Sequence, residues 1–295
     1  YLSFMTTPAP LTMFKNIFKL PAGTYLRIEK SFNPQAIKYW DPASNQVKVS
    51  DEEIINGEDK RDHSKNILSI LENSIEKRMM SDVPFGVFLS GGVDSSTNVA
   101  LMARHMSSPV DTFTVGFKDH LHLNELDQAR IVSDKFKTNH HEVLIDEQDM
   151  REYLDDLIET QDEPLADWVC IPLHFVAKLA KDNGTTVIQV GEGADEQFSG
   201  YAAYMNYLKL YNKYFKPFQD YSPKFFQHTV SNIANSMAKI KPGFEIYADI
   251  ISRASNDGDC FWSGAHAFPD IAKDKLFNKN SEINLSSYNH ILEMG

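Results

Sequence analysis

Between Asp62 and Val190 short apolar runs alternate with stretches of helical periodicity, and few architectures accept that pattern. Ile67, Leu71, Ile75 and Met79 recur every four residues, which predicts a core-facing helix. Pro84 to Leu89 is a short apolar run expected to be a buried strand, and a helix is expected over Asp94 to His105. The cycle repeats. Val110 to Val115 reads as a strand ended by Gly116. Leu126 to Phe136 reads as a helix, with Asn124 as its N-cap and Glu125 and Asp127 in its first turn. A strand over His141 to Ile145 and a helix over Met150 to Thr160 follow. Next comes a helix over Pro172 to Asp182, with proline in its first turn and Gly184 just past its end, and then a buried strand over Thr185 to Val190. Strands alternating with helices of this length predict an α/β fold, a Rossmann-like parallel sheet with helices on both faces.

The flanks differ. Leu20-Pro21-Ala22-Gly23 is a turn signal before a strand over Tyr25 to Ile28; Pro34, Trp40-Asp41-Pro42 and Ser44-Asn45 read as an extended linker. Residues 1–55 are too short for a domain and are expected to be the tail of one, in a chain that opens at Tyr1 without methionine. Beyond Tyr204, Tyr, Phe, Lys and Met at loosely helical spacing predict a helical C-terminal part, and no pattern emerges after Asp257.

The 29 basic and 41 acidic side chains give a net charge of −12, which repels phosphate backbones, and the densest basic cluster is the pair Lys77-Arg78. Nucleic acid is therefore not an expected partner. No window approaches 18 apolar residues, so no transmembrane helix is expected, and no signal peptide is evident. Cys170 and Cys260 lack zinc-site spacing and fit a reducing, cytoplasmic setting.

Two loops that follow strands carry the chemistry, where sheets of this kind bind ligands. In the first, Ser90-Gly91-Gly92-Val93-Asp94-Ser95-Ser96, two glycines let backbone N–H groups turn inward at a helix N-terminus. This is a phosphate cradle without the Gly-Lys-Ser/Thr ending of a Walker loop. Asp94 beside polyphosphate implies Mg²⁺. The second loop, Gly191-Glu192-Gly193-Ala194-Asp195-Glu196, places three acids in five residues. They suit a metal, a general base or a grip on an ammonium group.

Leu89 to Ser96 resembles the PP-loop of the ATP pyrophosphatases. Together with Thr114-Val115-Gly116-Phe117 and Gly191 to Glu196, it is similar to the synthetase domain of glutamine-hydrolysing asparagine synthetases. Leu11-Thr12-Met13-Phe14, Leu20 to Gly23, His140-His141-Glu142 and Asp162 to Asp167 agree in order, and the resemblance covers roughly residues 1 to 205. It implies a fold like the PP-loop pyrophosphatases and adenine nucleotide alpha hydrolases. It also implies a glutaminase tail and linker over 1–55 and an ATP-binding domain over 56–295. The implied reaction adenylylates the side-chain carboxylate of aspartate, releases pyrophosphate, and lets ammonia drawn from glutamine displace AMP. Ser90, Gly92, Asp94, Ser95 and Ser96 would hold pyrophosphate, Leu89 and Val115 would flank the adenosine with Gly191 beside it, and Gly91, Gly116 and Val190 complete the residues expected to bind ATP or pyrophosphate. Asp94 and Asp195 would share Mg²⁺, and Glu192 would serve the adenylate and the attacking amine. A homodimer is also expected.

Departures from the pattern are Val190 where serine is usual, Ser199 where glycine is usual, and the absence of an Arg-Val-Pro-Phe-Leu-Asp block with its following lysine. With that cation absent, ATP binding with slow turnover is expected. An acceptor other than aspartate, or a non-catalytic nucleotide-binding regulatory domain, are the competing readings. His140 and His141 should point to opposite faces of a strand and cannot chelate together.

Overall fold

The computed structural model describes residues 1–30, 32–41, 60–260, 268–273 and 276. Pro42, Ser44-Asn45, the boundary at 55/56 and much of the stretch after Asp257 lie outside the described residues. The chain divides into two compact units. One holds residues 37–162 and 167–194; the other holds 1–36, 163–166 and 195–295.

The first unit is a sheet sandwiched between helices. In chain order it contains α1 (Lys60–Arg78), β3 (Phe85–Phe88), α2 (Val93–His105), β4 (Asp111–Phe117), α3 (Leu126–Phe136), β5 (Asn139–Ile145), α4 (Glu147–Thr160), α5 (Cys170–Asp182) and β6 (Val187–Gln189). The strands lie in the order β5-β4-β3-β6, and every pair is parallel. Alternation along the strands splits the apolar side chains between two cores. Val87 and Leu89 join Ile75, Val99, Leu101, Met102 and Ala129 under α1, α2 and α3. Phe88 and Phe113 join Val176 and Ala180 of α5 on the opposite face. Phe113 is wholly buried, which contributes about 1.5–3 kcal/mol. The expected parallel sheet with helices on both faces is therefore what the chain forms.

Chain order also places the site. β3, β4 and β5 step outward in one direction, and β6 then adds on the other side of β3. The crevice at such a reversal, beyond the carboxyl ends of β3 and β6, is where open α/β sheets bind ligands.

Several local expectations need correction. Of the predicted stripe only Ile75 and Met79, the latter just past the end of α1, join the core, while Ile67 and Leu71 are more than a third exposed; periodicity fixes a face but not how far a neighbour covers it. Gly116 does not end β4 but lies inside it, because a Cβ there would come within 2.8 Å of Leu126 and 2.9 Å of Leu144. Asn124 does not cap α3. Its amide accepts from Phe117 N–H at 2.6 Å and donates to Phe117 C=O at 2.9 Å. β6 is short and its flanks are open, with Val187 and Val190 exposed, because it is an edge strand paired only with β3. α4 starts earlier than its apolar pattern implied, on a reciprocal capping box between Asp146 and Asp149.

The second unit is mostly helical. Near its start β1 (Thr24–Ile28) and β2 (Pro34–Lys38) form a two-stranded sheet. The stretch from Pro34 read as linker is thus a strand, with proline at its first position where no ladder N–H is needed. After the second loop come α6 (Ala194–Phe198), α7 (Ala202–Leu210), a π-turn over Tyr211–Phe215, α8 (Lys216–Tyr221), α9 (Lys224–Ile240), α10 (Glu245–Ser255) and α11 (Asp270–Lys273). The expected helical C-terminal part is present. Gln227 is wholly buried and directs its amide N–H groups at the carbonyls of Phe218, Gln219 and Ser222, supplying donors where α8 ends.

Gly86 sits where the sheet is tightest. A Cβ there would meet the Asp111 carbonyl oxygen at 2.7 Å and the Phe113 ring at 2.9 Å. Gly86→Ala is expected to lower stability by about 1–3 kcal/mol, read as a fall in the urea midpoint by circular dichroism.

Candidate active site

The first loop is shaped by its own hydroxyls. Ser95 is buried, and its Oγ accepts the Ser90 N–H at 3.2 Å and lies 3.0 Å from Ser90 Oγ, which in turn accepts the Gly92 N–H at 3.2 Å. Leu89, almost fully buried, anchors the strand end through its N–H to Phe113 C=O at 2.9 Å and its carbonyl, which accepts from the Thr114 hydroxyl. Gly91 has φ +82°, and a Cβ on it would strike Gln128 and Ala129 backbone atoms at 2.6–2.7 Å. The loop is thus pressed against the start of α3 and turned by a left-handed residue. No side chain caps the N-terminus of α2, and Ser96 Oγ is buried without a hydrogen-bond partner. Both features leave donors for an anion.

The second loop closes on the first. An added Cβ on Gly191 would lie 3.0–3.1 Å from Asp94 and Ser95 atoms at the start of α2. Glu192 is exposed beside it, and Gly193 has φ +92°. The boundary between the two units falls after Ala194, so Asp195 belongs to the helical unit. There Asp195 lies in the first turn of α6, and its carbonyl accepts the Gly200 N–H at 2.9 Å. Tyr201 donates to Glu196 at 2.7 Å, and that carboxylate pushes the phenol pKa up to about 12. Ser199, where the family pattern has glycine, adopts φ +57°.

Below the two loops of the sheet unit lies a cavity of about 440 Å³, within the range of small-molecule sites. Leu89, Ser90, Ser95, Val115, Val190, Gly191 and Glu192 line it. Gly116 faces away, against Leu126 and Leu144. Gly91, Gly92, Asp94 and Ser96 belong to the loop and the start of α2 and do not line the cavity. Sequence reasoning missed Phe88, Phe113, Phe117, Val176, Glu125 and Trp168, which also line the cavity. The aromatic and aliphatic members read as ordinary core. Phe117, which closes the Thr114 to Phe117 motif, and Trp168, directly after the Asp162 to Asp167 stretch, had a signal near them.

That stretch has a structural task of its own. Glu163 accepts the Met13 N–H at 2.7 Å and pairs with Lys19 at 2.6 Å, and the Lys19 ammonium holds its carboxyl below the usual range. Ala166 N–H donates to Met5 C=O at 2.9 Å. Residues 163–166 therefore fasten the N-terminal segment within the helical unit. His140 and His141 part as expected: His140 Nδ1 meets Thr112 at 2.9 Å, whereas His141 stacks on Phe113 at 5.1 Å. Burial pushes the His140 pKa down.

With this geometry in place, comparison with known proteins becomes informative. The asparagine synthase family model matches residues 66–290. The chain belongs to the asparagine synthase family. A Methanocaldococcus jannaschii protein provisionally named a glutamine-hydrolysing asparagine synthetase is 33% identical over 71% of this family member and 39% of its own length. Asparagine synthetase 1 of Bacillus subtilis is 32% identical over 74% of this chain and 32% of its own length. The chain thus spans between about a third and two fifths of the length of these relatives. Among solved structures, an NAD synthetase from Campylobacter jejuni overlaps 65% of this family member and 93% of itself, at 14% identity and TM-score 0.32. An NMN synthetase from Francisella tularensis overlaps 49% and 59%, at 18% and 0.31.

The cradle's shape depends on Gly91. Gly91→Ala combines a disfavoured φ with a backbone clash, and it is expected to cost more than about 1 kcal/mol of stability, measured by urea unfolding.

Proposed function

We propose that this asparagine synthase family member is an ATP-dependent, amide-forming ligase that adenylylates aspartate and transfers ammonia to it. The close approach of Gly191 to Asp94 and Ser95, above a cavity of nucleoside size, is the observation that carries this reading. The apolar wall of Leu89, Val115 and Val190 suits a purine, and Ser90 and Ser95 line the same cavity. Pyrophosphate would sit at the uncapped start of α2, within reach of Ser96.

In this reading a carboxylate oxygen of aspartate attacks the α-phosphorus of ATP. The bond to the bridging oxygen breaks and pyrophosphate departs into the cradle. Ammonia then attacks the acyl carbon, AMP leaves, and Glu192 takes up a proton from the attacking nitrogen. Among the described residues no group of three or more His, Cys, Asp or Glu side chains stands ready to hold a metal ion. In this reading Mg²⁺ would arrive on the nucleotide, since this ion is commonly bound by one or two carboxylates plus phosphates. Asp94 and Asp195 are the residues we assign to it, and it would offset charge on the leaving pyrophosphate. We further assign residues 1–55 to the end of a glutaminase domain and its linker. The attachment of the N-terminal segment through Glu163 and Ala166 supports treating that segment as part of the folded protein.

The chain is to be incubated with ATP labelled on the α-phosphate, Mg²⁺, ammonium and aspartate. Label is expected in AMP, and only when aspartate is present; label in ADP would overturn the mechanism, and AMP with a different carboxylate would replace the acceptor. Glu192→Gln is expected to slow asparagine formation by about 10²–10⁴-fold while nucleotide binding, followed by equilibrium dialysis, persists. Asp94→Asn is expected to weaken Mg²⁺-ATP binding in the same dialysis.

A further inference from the structure

The His140-His141-Glu142 stretch of β5 takes no part in the ligase reading, yet its side chains reach the helix on which the phosphate cradle rests. Successive strand residues face opposite ways, so His140 and Glu142 share the α3 side of the sheet while His141 stacks on Phe113. Glu142 accepts from Arg130 of α3 through both carboxylate oxygens, from Nε at 2.7 Å and from Nη2 at 2.5 Å. His140 Nε2 lies 3.2 Å from the same carboxylate, and His140 Nδ1 lies 2.9 Å from the Thr112 hydroxyl. Thr112 is wholly buried and meets the Thr138 hydroxyl at 2.8 Å, which lies 3.0 Å from Ser133 of α3. A connected run of polar contacts therefore ties α3 to β4 and β5 at two points along the helix.

Arg130 directly follows the turn that touches the cradle. Gly91 lies so close to Gln128 and Ala129 that a Cβ on it would fall 2.5–2.7 Å from their atoms. Ala129 is wholly buried, so packing sets how near this turn stands to the sheet. Apolar packing is non-directional and leaves the slide and rotation of the turn loosely specified. A bidentate Arg–carboxylate pair is directional in both respects. Thr114, which pairs in register with Glu142, meanwhile holds the Leu89 carbonyl. The rung that carries Glu142 thus supports the start of the first loop and, through Arg130, the surface under Gly91.

Asp127 also lies 3.2 Å from Arg130 Nη1, but it belongs to the same helix and cannot fix α3 to the sheet. The Arg130 guanidinium holds the Glu142 carboxyl below the usual range, so the pair persists at neutral pH. Half-exposed ion pairs contribute little to overall stability, and Arg130 is half exposed. The value of this pair lies in geometry. We propose, resting on the nucleotide site assigned above, that Arg130 and Glu142 are positioning residues whose pairing sets the first turn of α3 under Gly91 and keeps the loop shaped to receive phosphate. Neither residue lines the nucleotide cavity.

Isothermal titration of the whole chain compares Mg²⁺-ATP with adenosine, which shares the apolar wall and lacks the phosphates. The unaltered chain is expected to bind Mg²⁺-ATP more tightly. Arg130→Gln is expected to lose at least about threefold in Mg²⁺-ATP affinity and nothing for adenosine. Glu142→Gln is expected to act alike, and the double variant to be no worse than either single one. Arg130→Lys, which keeps the charge and loses the fork, is expected to fall between. Hydrogen exchange without ligand is the second readout: residues 89–96 should exchange faster in Arg130→Gln while α5 does not. If the unaltered chain gains nothing from the phosphates, the ligase reading fails and hydrogen exchange alone decides the positioning role. If it gains and Arg130→Gln keeps the full gain, or if both ligands weaken alike, the positioning role is overturned and the ligase reading stands. Unchanged exchange over 89–96 overturns the positioning role in either case. Should Arg130→Gln fail to fold, Arg130→Lys carries both readouts, with the same results overturning the proposal.

Discussion

At the carboxyl edge of the sheet, the backbone of Gly191 runs about as close to Asp94 and Ser95 as a chain without a side chain allows. The site depends on that approach. It is possible because β6 adds beside β3 rather than beyond β5, so the loops after β3 and β6 emerge as neighbours. Each is then shaped by its own glycines, Gly91 turning the first against α3 and Gly193 turning the second outward. The buried strand ends supply a rigid floor, since Leu89 is tied to β4 by its N–H, which donates to the Phe113 carbonyl, and by its carbonyl, which accepts from the Thr114 hydroxyl. A cradle built this way is positioned by the sheet, and its donors need no large rearrangement to meet an anion.

Most of this was legible from residues close together in sequence. Both loops announced themselves by glycine and acid content, and the alternation of strand and helix gave the class of sheet. What escaped was set by contacts between distant residues. Asn124 has the composition of an N-cap, yet its amide found both backbone groups of Phe117 and used them instead. Gly116 looked like punctuation, yet the packing of Leu126 and Leu144 across β4 is what requires it. Trp168 and Val176 enter the cavity wall only because α5 lies over Phe88 and Phe113, and no local pattern in the chain states that.

Ser199 shows the converse, a departure in sequence that the backbone explains. The residue adopts φ +57°, a region glycine enters freely and serine only at some cost. Its neighbour Gly200 is crowded by the Asp195 carboxylate, so little room exists for the chain to relax there. The turn is kept despite the less suitable side chain.

The charge balance of the nucleotide cavity carries a final consequence. Among the described residues its walls include Glu125 and Glu192 and no lysine, arginine or histidine. Hydroxyls, backbone N–H groups and a helix dipole are neutral or fractional partners, each worth little against a bare polyphosphate beside two carboxylates. A nucleotide whose phosphates remain uncompensated should therefore be held poorly by this surface, whatever its fit to the apolar wall. In the proposed reading, affinity for a triphosphate would rest on a divalent cation carried with it, while affinity for the nucleoside portion would rest on the apolar wall of Leu89 and Val115. On that proposal the two halves of one ligand would be recognised by different physics, and only the phosphate half should respond when the cation is withdrawn.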